Sequence, residues 1–335
     1  MSVELVYAGS ITIRRYRTKL KGHSVGFGKC GHHGSFFGVQ KYGTEEAAFE
    51  AAKSYRRETS DKLGLTTVRP SMESFWERVT NCGFLHTENQ SNQYFAGFLD
   101  GDGCISMSKE YLICVGVSQS CDSQIPLVIE YLQYRYGGCL SSTKRNARTA
   151  HIIRVSGLSS VPILTNMATN SILKTGQAEI ALHCFGGEVS KEDIYNQLAN
   201  CKLLESYQRV NAREYTDRLT LPYIAGIFDA EGCITFDGSI RVKLAQRSSP
   251  SLLGMIHEFF GGRGSVENND YIVWHAADAA SVLELIEPYL VYKRDQAICA
   301  LKIREYSTIH VQKRTVDDKN HIVQLASYIK SQKYT

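Results

Sequence analysis

A thirteen-residue pattern occurs twice in this 335-residue chain, and it limits the possible fold more than any other feature. Tyr94-Phe-Ala-Gly-Phe-Leu-Asp-Gly-Asp-Gly-Cys-Ile-Ser106 recurs 129 residues later as Tyr223-Ile-Ala-Gly-Ile-Phe-Asp-Ala-Glu-Gly-Cys-Ile-Thr235. The likeness runs on in the same order. Each copy next has a strand pattern ending in Gln (Gln119, Gln246) and an apolar helix with Pro near its start (Pro126, Pro250). Glycine pairs then end those helices (Gly137-Gly138, Gly261-Gly262), and Lys174 and Lys293 are each followed three residues on by Gln-Ala. A series of matches in one order is the signature of an internal duplication.

Periodicity predicts the same elements in both copies. In the first they are a helix at Gln93–Asp100, strands at Ile105–Lys109 and Leu112–Gln119, a helix at Ile125–Tyr136, and strands at Cys139–Lys144 and Ile152–Val155. The second copy repeats them from Tyr223 to Trp274 and adds a helix over Ala279–Tyr289 and another after Arg294. A capping box at Ser190-Lys-Glu-Asp193 starts a further helix before the connection at 210–221. In the first strand of each copy Ile105 and Met107, or Ile234 and Phe236, point to one face. The opposite face is small and polar, suited to a ligand.

Gly97 and Gly101 stand four residues apart on the first motif helix, as Gly226 and Ala230 do on the second. Small residues at this spacing let two helix backbones approach closely. The two motif helices are therefore expected to cross on a pseudo-twofold axis, which brings Asp102 and Glu231, at their ends, together. Neighbouring carboxylates repel unless a cation lies between them. Hard oxygen ligands on an open site suit Mg²⁺, and such a site facing a polyanion is suited to metal-assisted phosphodiester hydrolysis.

The motifs FAGFLDGDG (95–103) and IAGIFDAEG (224–232) resemble the LAGLIDADG homing endonuclease signature, in its monomeric two-motif form, over about residues 92–332. The resemblance implies an α+β fold: two tandem αββαββα units forming a pseudo-twofold β-sheet saddle. It implies metals (Mg²⁺ or Mn²⁺) at Asp102, Glu231, Gly101 and Ala230, with Asp100 and Asp229 structural. Gln119 and Gln246 match a polar residue near the scissile phosphate. Lys174 and Lys293 match a basic residue that orders water and stabilises the transition state. The implied partner is double-stranded DNA with a long pseudo-palindromic or asymmetric target, bound in its major groove by strand side chains. These are Ser106, Ser108, Ser118, Ser141, Thr143 and Arg154 in the first copy and Thr235, Arg241, Lys243, Arg247 and Glu267 in the second. Lys144, Arg145 and Arg148, in the loop between the third and fourth strands, are expected to contact phosphates.

Charge separates the N-terminal region from this body. Residues 1–70 carry 12 Lys/Arg against six Asp/Glu, whereas 71–335 carry 26 against 28. A basic appendage on a nearly neutral body points to a polyanion. Three short strands are expected at Ser10–Arg17, His23–Lys29 and Ser35–Tyr42, then a helix capped by Thr44 with Ala47, Ala48, Ala51, Ala52 and Tyr55 on its apolar face. The segment Phe36–Arg56 resembles an AP2-type DNA-binding domain, with Arg14, Arg15, Arg17, Lys19 and Lys29 as its contacts. The expected division is 1–66 for this domain, 67–91 for a linker with a short helix at Met72–Val79, and 92–215 and 216–335 for the two units.

Ten scattered cysteines, none in a C-x-x-C pair, read as reduced thiols in an intracellular protein. His23, Cys30, His32 and His33 fit no common zinc spacing and read as basic-loop histidines. No apolar run reaches the roughly 18 residues of a membrane span, and the N-terminus lacks the apolar stretch of a secretory signal. An intein is not expected, since the sequence ends Lys-Tyr-Thr. A monomer in an organelle (mitochondrion or chloroplast) or the nucleus is expected. A splicing maturase acting on intron RNA and a non-cleaving DNA-binding regulator are the alternatives on the same fold. The intact acid pair favours the nuclease.

Overall fold

The structure, a computed structural model, describes residues 10–16, 19–26, 35–44, 47, 51, 54–55, 58, 87–121, 125–145, 148–187, 189–203, 210–308 and 315–331. The chain divides into two compact units, Met1–Val79 and Thr80–Thr335. The division falls inside the expected linker.

In the first unit β1 (Ser10–Tyr16), β2 (Lys19–Gly26) and β3 (Ser35–Gly38) form an antiparallel sheet in that order. The expected third strand is cut short, because Val39–Tyr42 form a helical turn, α1. Gly43, at φ 82°, ends the turn in a conformation that favours glycine. The Ala47 N–H then donates to Thr44 Oγ1 at 3.1 Å, the expected cap. Ala47 itself is exposed, not on an apolar face. Arg17, Lys29, Cys30, His32, His33, the linker helix at 72–79 and the other expectations placed on 59–86 lie outside the described residues.

The second unit holds the duplication. Its first half runs α2 (Glu88–Asp102), β4 (Gly103–Met107), β5 (Ile113–Ser120), α3 (Leu127–Tyr136), β6 (Cys139–Arg145), β7 (Arg148–Ser156) and α4 (Val161–Asn170). Helices α5 (Thr175–Gly186) and α6 (Lys191–Asn200) follow. A 3₁₀ segment, Ala212–Arg218, leads into the second half. That half runs α7 (Leu221–Glu231), β8 (Gly232–Asp237), β9 (Ser239–Ala245), α8 (Pro250–Phe259), β10 (Ser265–Glu267), β11 (Tyr271–His275) and α9 (Ala276–Ile286). It ends with α10 (Arg294–Thr308) and α11 (Val316–Ser331). The sheets are antiparallel with equivalent orders, β4-β5-β7-β6 and β8-β9-β11-β10. Two tandem αββαββα units are therefore present, as the duplication predicts.

Helix α2 starts earlier than expected. Thr87 and Gln90 form a capping box: Thr87 Oγ1 accepts from the Gln90 N–H, and the Gln90 side chain accepts from the Thr87 N–H. One face of each sheet is dry. Ile105, Val115, Val117, Ile153 and Val155 are buried in the first, and Ile234, Val242, Leu244, Ile272 and Trp274 in the second.

The α2–α7 crossing joins the halves, and it needs the small residues the sequence supplies. A Cβ added to Gly97 would overlap the Tyr223 carbonyl oxygen and lie 3.1 Å from the Ile227 nitrogen. One added to Gly226 would overlap the Tyr94 carbonyl oxygen and lie 2.8 Å from the Phe98 nitrogen. At the C-terminal end, Gly101 stands against Ala230 and within 3.2 Å, measured from an added Cβ, of Glu231 Cγ.

Candidate active site

The last residues of α2 and α7 are Asp102 and Glu231, and the close approach of Gly101 to Ala230 brings them to one place. Both carboxylates are partly buried. Burial, then the charge of Glu231, pushes the Asp102 carboxyl up to about 6, while Lys293, Lys174 and the Gln119 hydrogen bond pull it down. Burial also pushes Glu231 up, against Lys174 and Lys293. The site holds two acids under mutual repulsion and has two ammonium groups nearby.

Those ammonium groups sit on backbone. Lys174 is 4% exposed, and its Nζ donates to the carbonyls of Leu99 (2.6 Å), Asp100 (2.8 Å), Gly103 (2.7 Å) and Gly101 (3.4 Å). Lys293 Nζ donates to the carbonyl of Asp229. A helix leaves its last carbonyls without partners and carries partial negative charge there. Each lysine meets both needs and places a cation beside the acid that ends the helix. The charges of Asp102 and Glu231 are felt by both lysines, whose ammonium groups burial pulls below their ordinary range.

Asp100 and Asp229 are structural, as the resemblance implies. Asp100 accepts from the N–H groups of Ile172 (2.8 Å), Leu173 (3.0 Å) and Lys174 (3.0 Å), and from Ser171 Oγ (2.5 Å). Asp229 accepts from the N–H groups of Val291 (2.7 Å), Tyr292 (2.9 Å) and Lys293 (2.7 Å). Each aspartate thus folds onto itself the loop that delivers its lysine. Each also accepts a phenol from the other half: Tyr223 on Asp100 and Tyr94 on Asp229, both at 2.7 Å. Both tyrosines open the repeated motif, but their role is visible only once the helices cross.

The two glutamines differ. Gln119 donates its side-chain amide to Asp102. Gln246 is 6% exposed, and its side-chain oxygen accepts from Ser248 Oγ at 2.5 Å. It stands one residue beyond β9, in a turn, whereas Gln119 lies within β5.

On the polar sheet faces the register sets rows of side chains. Cys104, Gly116, Arg154 and Cys139 pair across the first sheet. Cys233, Lys243, Val273 and Ser265 pair across the second, where Val273 is an apolar, fully buried member of the row. Ser106, Ser118 and Ser141 share the first face, with Arg154 exposed. Thr143 is there too, although its Oγ1 is buried without a hydrogen-bond partner. Ser108 lies just past β4, and its Oγ accepts from the Leu112 N–H at 3.2 Å. Lys144, Arg145 and Arg148 occupy the β6–β7 hairpin end. On the second face Thr235 and Arg241 pair, and Arg241 is exposed. Two residues expected to be open are engaged: Lys243 Nζ lies 3.3 Å from the centre of the Tyr271 ring, and Glu267 accepts from Tyr271 Oη at 2.5 Å and Ser265 Oγ at 3.4 Å. Arg247, beyond the strand, pairs loosely with Asp270 at 3.7 Å. In the N-terminal sheet Arg14 and Arg15 flank a bulge in β1, and Lys19 opens β2. His23 lies within β2.

Among the described residues no three His, Cys, Asp or Glu side chains gather as a metal set, and no helix is long and apolar enough to cross a membrane.

No protein-family model matches the sequence, and no curated protein does. Solved structures do match by fold. The LAGLIDADG meganuclease I-AabMI bound to uncleaved DNA has a TM-score of 0.51 at 13% identity, over 70% of this chain and 98% of that one. The I-LtrWI LAGLIDADG homing endonuclease bound to target DNA has a TM-score of 0.51 at 13% identity, over 71% and 97%. A single-site mutant of I-SmaMI has a TM-score of 0.50 at 15% identity, over 71% and 98%. The second unit of this chain has the two-unit αββαββα fold of the LAGLIDADG homing endonucleases.

Proposed function

We propose that this protein is a site-specific double-strand DNA endonuclease that hydrolyses phosphodiester bonds at the α2–α7 crossing. One observation carries the reading: two carboxylates end the crossed helices side by side, and burial, then the charge of Glu231, raises Asp102 to about 6. A divalent cation relieves that repulsion. Asp102 and Glu231, with the carbonyls of Gly101 and Ala230, are all hard oxygen donors. So small a protein set fits Mg²⁺ or Mn²⁺, which keep other positions for water and phosphate. When bound, the metal supplies charge neutralisation at the phosphate and a more acidic water.

The chain's own residues do the rest. Lys174 and Lys293 add fixed positive charge where negative charge develops, and their hydrogen bonds to backbone keep them still. Gln119 orients the Asp102 carboxylate. Arg154 and Arg241, exposed on the polar faces, are cations placed to meet DNA, where arginine reads guanine edges in the major groove. The basic N-terminal sheet with its Thr44-capped helix is proposed as an AP2-type module that binds flanking DNA, mostly through phosphates.

Cleavage selection on a randomised duplex library with Mg²⁺ tests the reading. Wild-type protein should cut a defined site. Asp102→Asn and Glu231→Gln should bind that site and leave it uncut. Ca²⁺ should support binding without turnover. Binding by the wild type with no cleavage at any site would replace the nuclease with a regulator. Cleavage by both variants at the wild-type rate would remove the two-carboxylate site.

A further inference from the structure

Arg218 ends the 3₁₀ connector between the halves, and its guanidinium reaches back into the first half. Its Nη1 donates to the carbonyls of Ala168 (3.1 Å) and Ser171 (2.7 Å) and to Thr175 Oγ1 (2.8 Å). Its Cζ also lies 4.5 Å from the centre of the Tyr215 ring, a cation–π contact on the same connector. These acceptors surround one short loop. Ala168 lies in the last turn of α4, Ser171 follows that helix, and Thr175 opens α5.

The inner side of the same loop faces the site. Ser171 Oγ donates to Asp100 and accepts from the Lys174 N–H at 2.9 Å, and Lys174 stretches along the end of α2 beside Asp102. Thr175 Oγ1 also donates to the Ser171 carbonyl at 2.5 Å, which locks two of the three acceptors of Arg218 together. Asp100 grips the loop from inside, and Arg218 from outside.

The second half braces the matching loop differently. There Arg294 Nε pairs with Glu287 Oε1 at 2.7 Å, within the half, and both side chains are less than 20% exposed. The first half therefore borrows from the connector a brace that the second half supplies itself.

We propose that Arg218 is a positioning residue that holds the Ser171–Thr175 loop, and through it Lys174, in register with Asp102. Its effect on catalysis rests on the nuclease reading above; its effect on the loop does not. Because Arg218 acts on one half only, its loss falls on the DNA strand served by that half.

The test uses the full chain with Arg218→Ala, Arg218→Met and Arg218→Lys. Amide hydrogen exchange without DNA or metal reads the loop. In Arg218→Ala and Arg218→Met the amides of Ile172, Leu173 and Lys174 should exchange about tenfold faster or more, while those of Val291, Tyr292 and Lys293 keep their wild-type rates. Arg218→Lys, with three donors for three acceptors, should restore protection. Single-turnover cleavage reads the chemistry. One strand should be cut about tenfold more slowly in Arg218→Ala, leaving nicked DNA, while the other strand and the affinity for DNA stay within about twofold. Unchanged exchange at 172–174, or exchange raised equally in both loops, overturns the proposal. So does equal slowing of both strands. Selective loosening of the loop in a protein whose wild type cuts no DNA would sustain the brace and remove the nuclease reading.

Discussion

The Tyr94 phenol donates to the Asp229 carboxylate at 2.7 Å, from the first half of the duplication to the second. Tyr94 is fully buried, and burial together with Asp229 pushes its phenol well above its ordinary value. It remains a donor at any ordinary pH. Tyr94→Phe leaves Asp229 its three loop N–H donors and removes the fourth partner. A hydrogen bond to a charged group contributes about 1.5–3 kcal/mol, so the variant should unfold at lower urea concentration with an unchanged slope. A midpoint equal to wild type would show that this bond does not support the crossing.

Gly97→Ala tests the close approach itself. The added methyl would overlap the Tyr223 carbonyl oxygen, which is backbone and cannot turn aside. Overpacking costs about 1–3 kcal/mol or more, which should outweigh alanine's better helix propensity of about 1 kcal/mol. Gly176→Ala, where an added Cβ meets nothing within 4 Å, is the matched control. The first variant should lose thermal stability and metal-dependent cleavage, and the second should keep both. Equal stability of the two would put the helices further apart than described.

The site acids give a pH dependence of stability. Folded Asp102 titrates at about 6, against 3.8 for an unperturbed aspartate. Between about pH 4 and 6 the folded protein holds a proton that the unfolded chain has lost. Metal-free stability from this group therefore falls as pH rises through that window. Asp102→Asn does not titrate, so its stability relative to wild type should climb from pH 4 to 6 and level off above. Chemical unfolding of both metal-free proteins at a series of pH values measures the gap. A constant gap would mean that the carboxyl is unperturbed.

Removal of residues 1–79 tests the N-terminal unit. Residues 1–79 carry a net charge of +5 and the remainder −1. Non-specific affinity for duplex DNA scales with the phosphates neutralised, through counterion release. The truncated protein should fold, cut at the same bond, bind more weakly, and show a shallower dependence of log affinity on log salt. Its footprint should shorten on one side. Identical footprints and slopes would mean that this unit does not touch DNA.

The crossing is legible in the sequence because its cause is local: two small residues one turn apart and an acid one residue on, twice over. Asp102 and Glu231 come with it. Other features depend on partners distant in sequence. Nothing near Lys174 announces that its ammonium lies on the carbonyls of Leu99, Asp100 and Gly103. Glu267 looks free along its strand, but Tyr271 and Ser265 occupy it. Gln246 aligns with Gln119 but stands past the strand end, where Ser248 reaches it first. Arg218 carries no signal, since a connector residue matches nothing in either copy. The early start of α2 does have a local signal, the capping-box spacing of Thr87 and Gln90.

A crossing of one unit with its duplicate is an isologous contact inside a single polypeptide. The connector raises the effective concentration of one half for the other to the order of millimolar, as short flexible tethers do. Weakening the contact therefore registers as lost folding stability and not as dissociation on dilution. The tether also frees each sheet from copying the other. A homodimer would carry one row of side chains twice, whereas here Gly116, Arg154 and Cys139 in the first sheet stand where the second has Lys243, Val273 and Ser265, beyond a cysteine common to both. Only the residues at the crossing itself remain bound to near-symmetry, since each must fit its own counterpart.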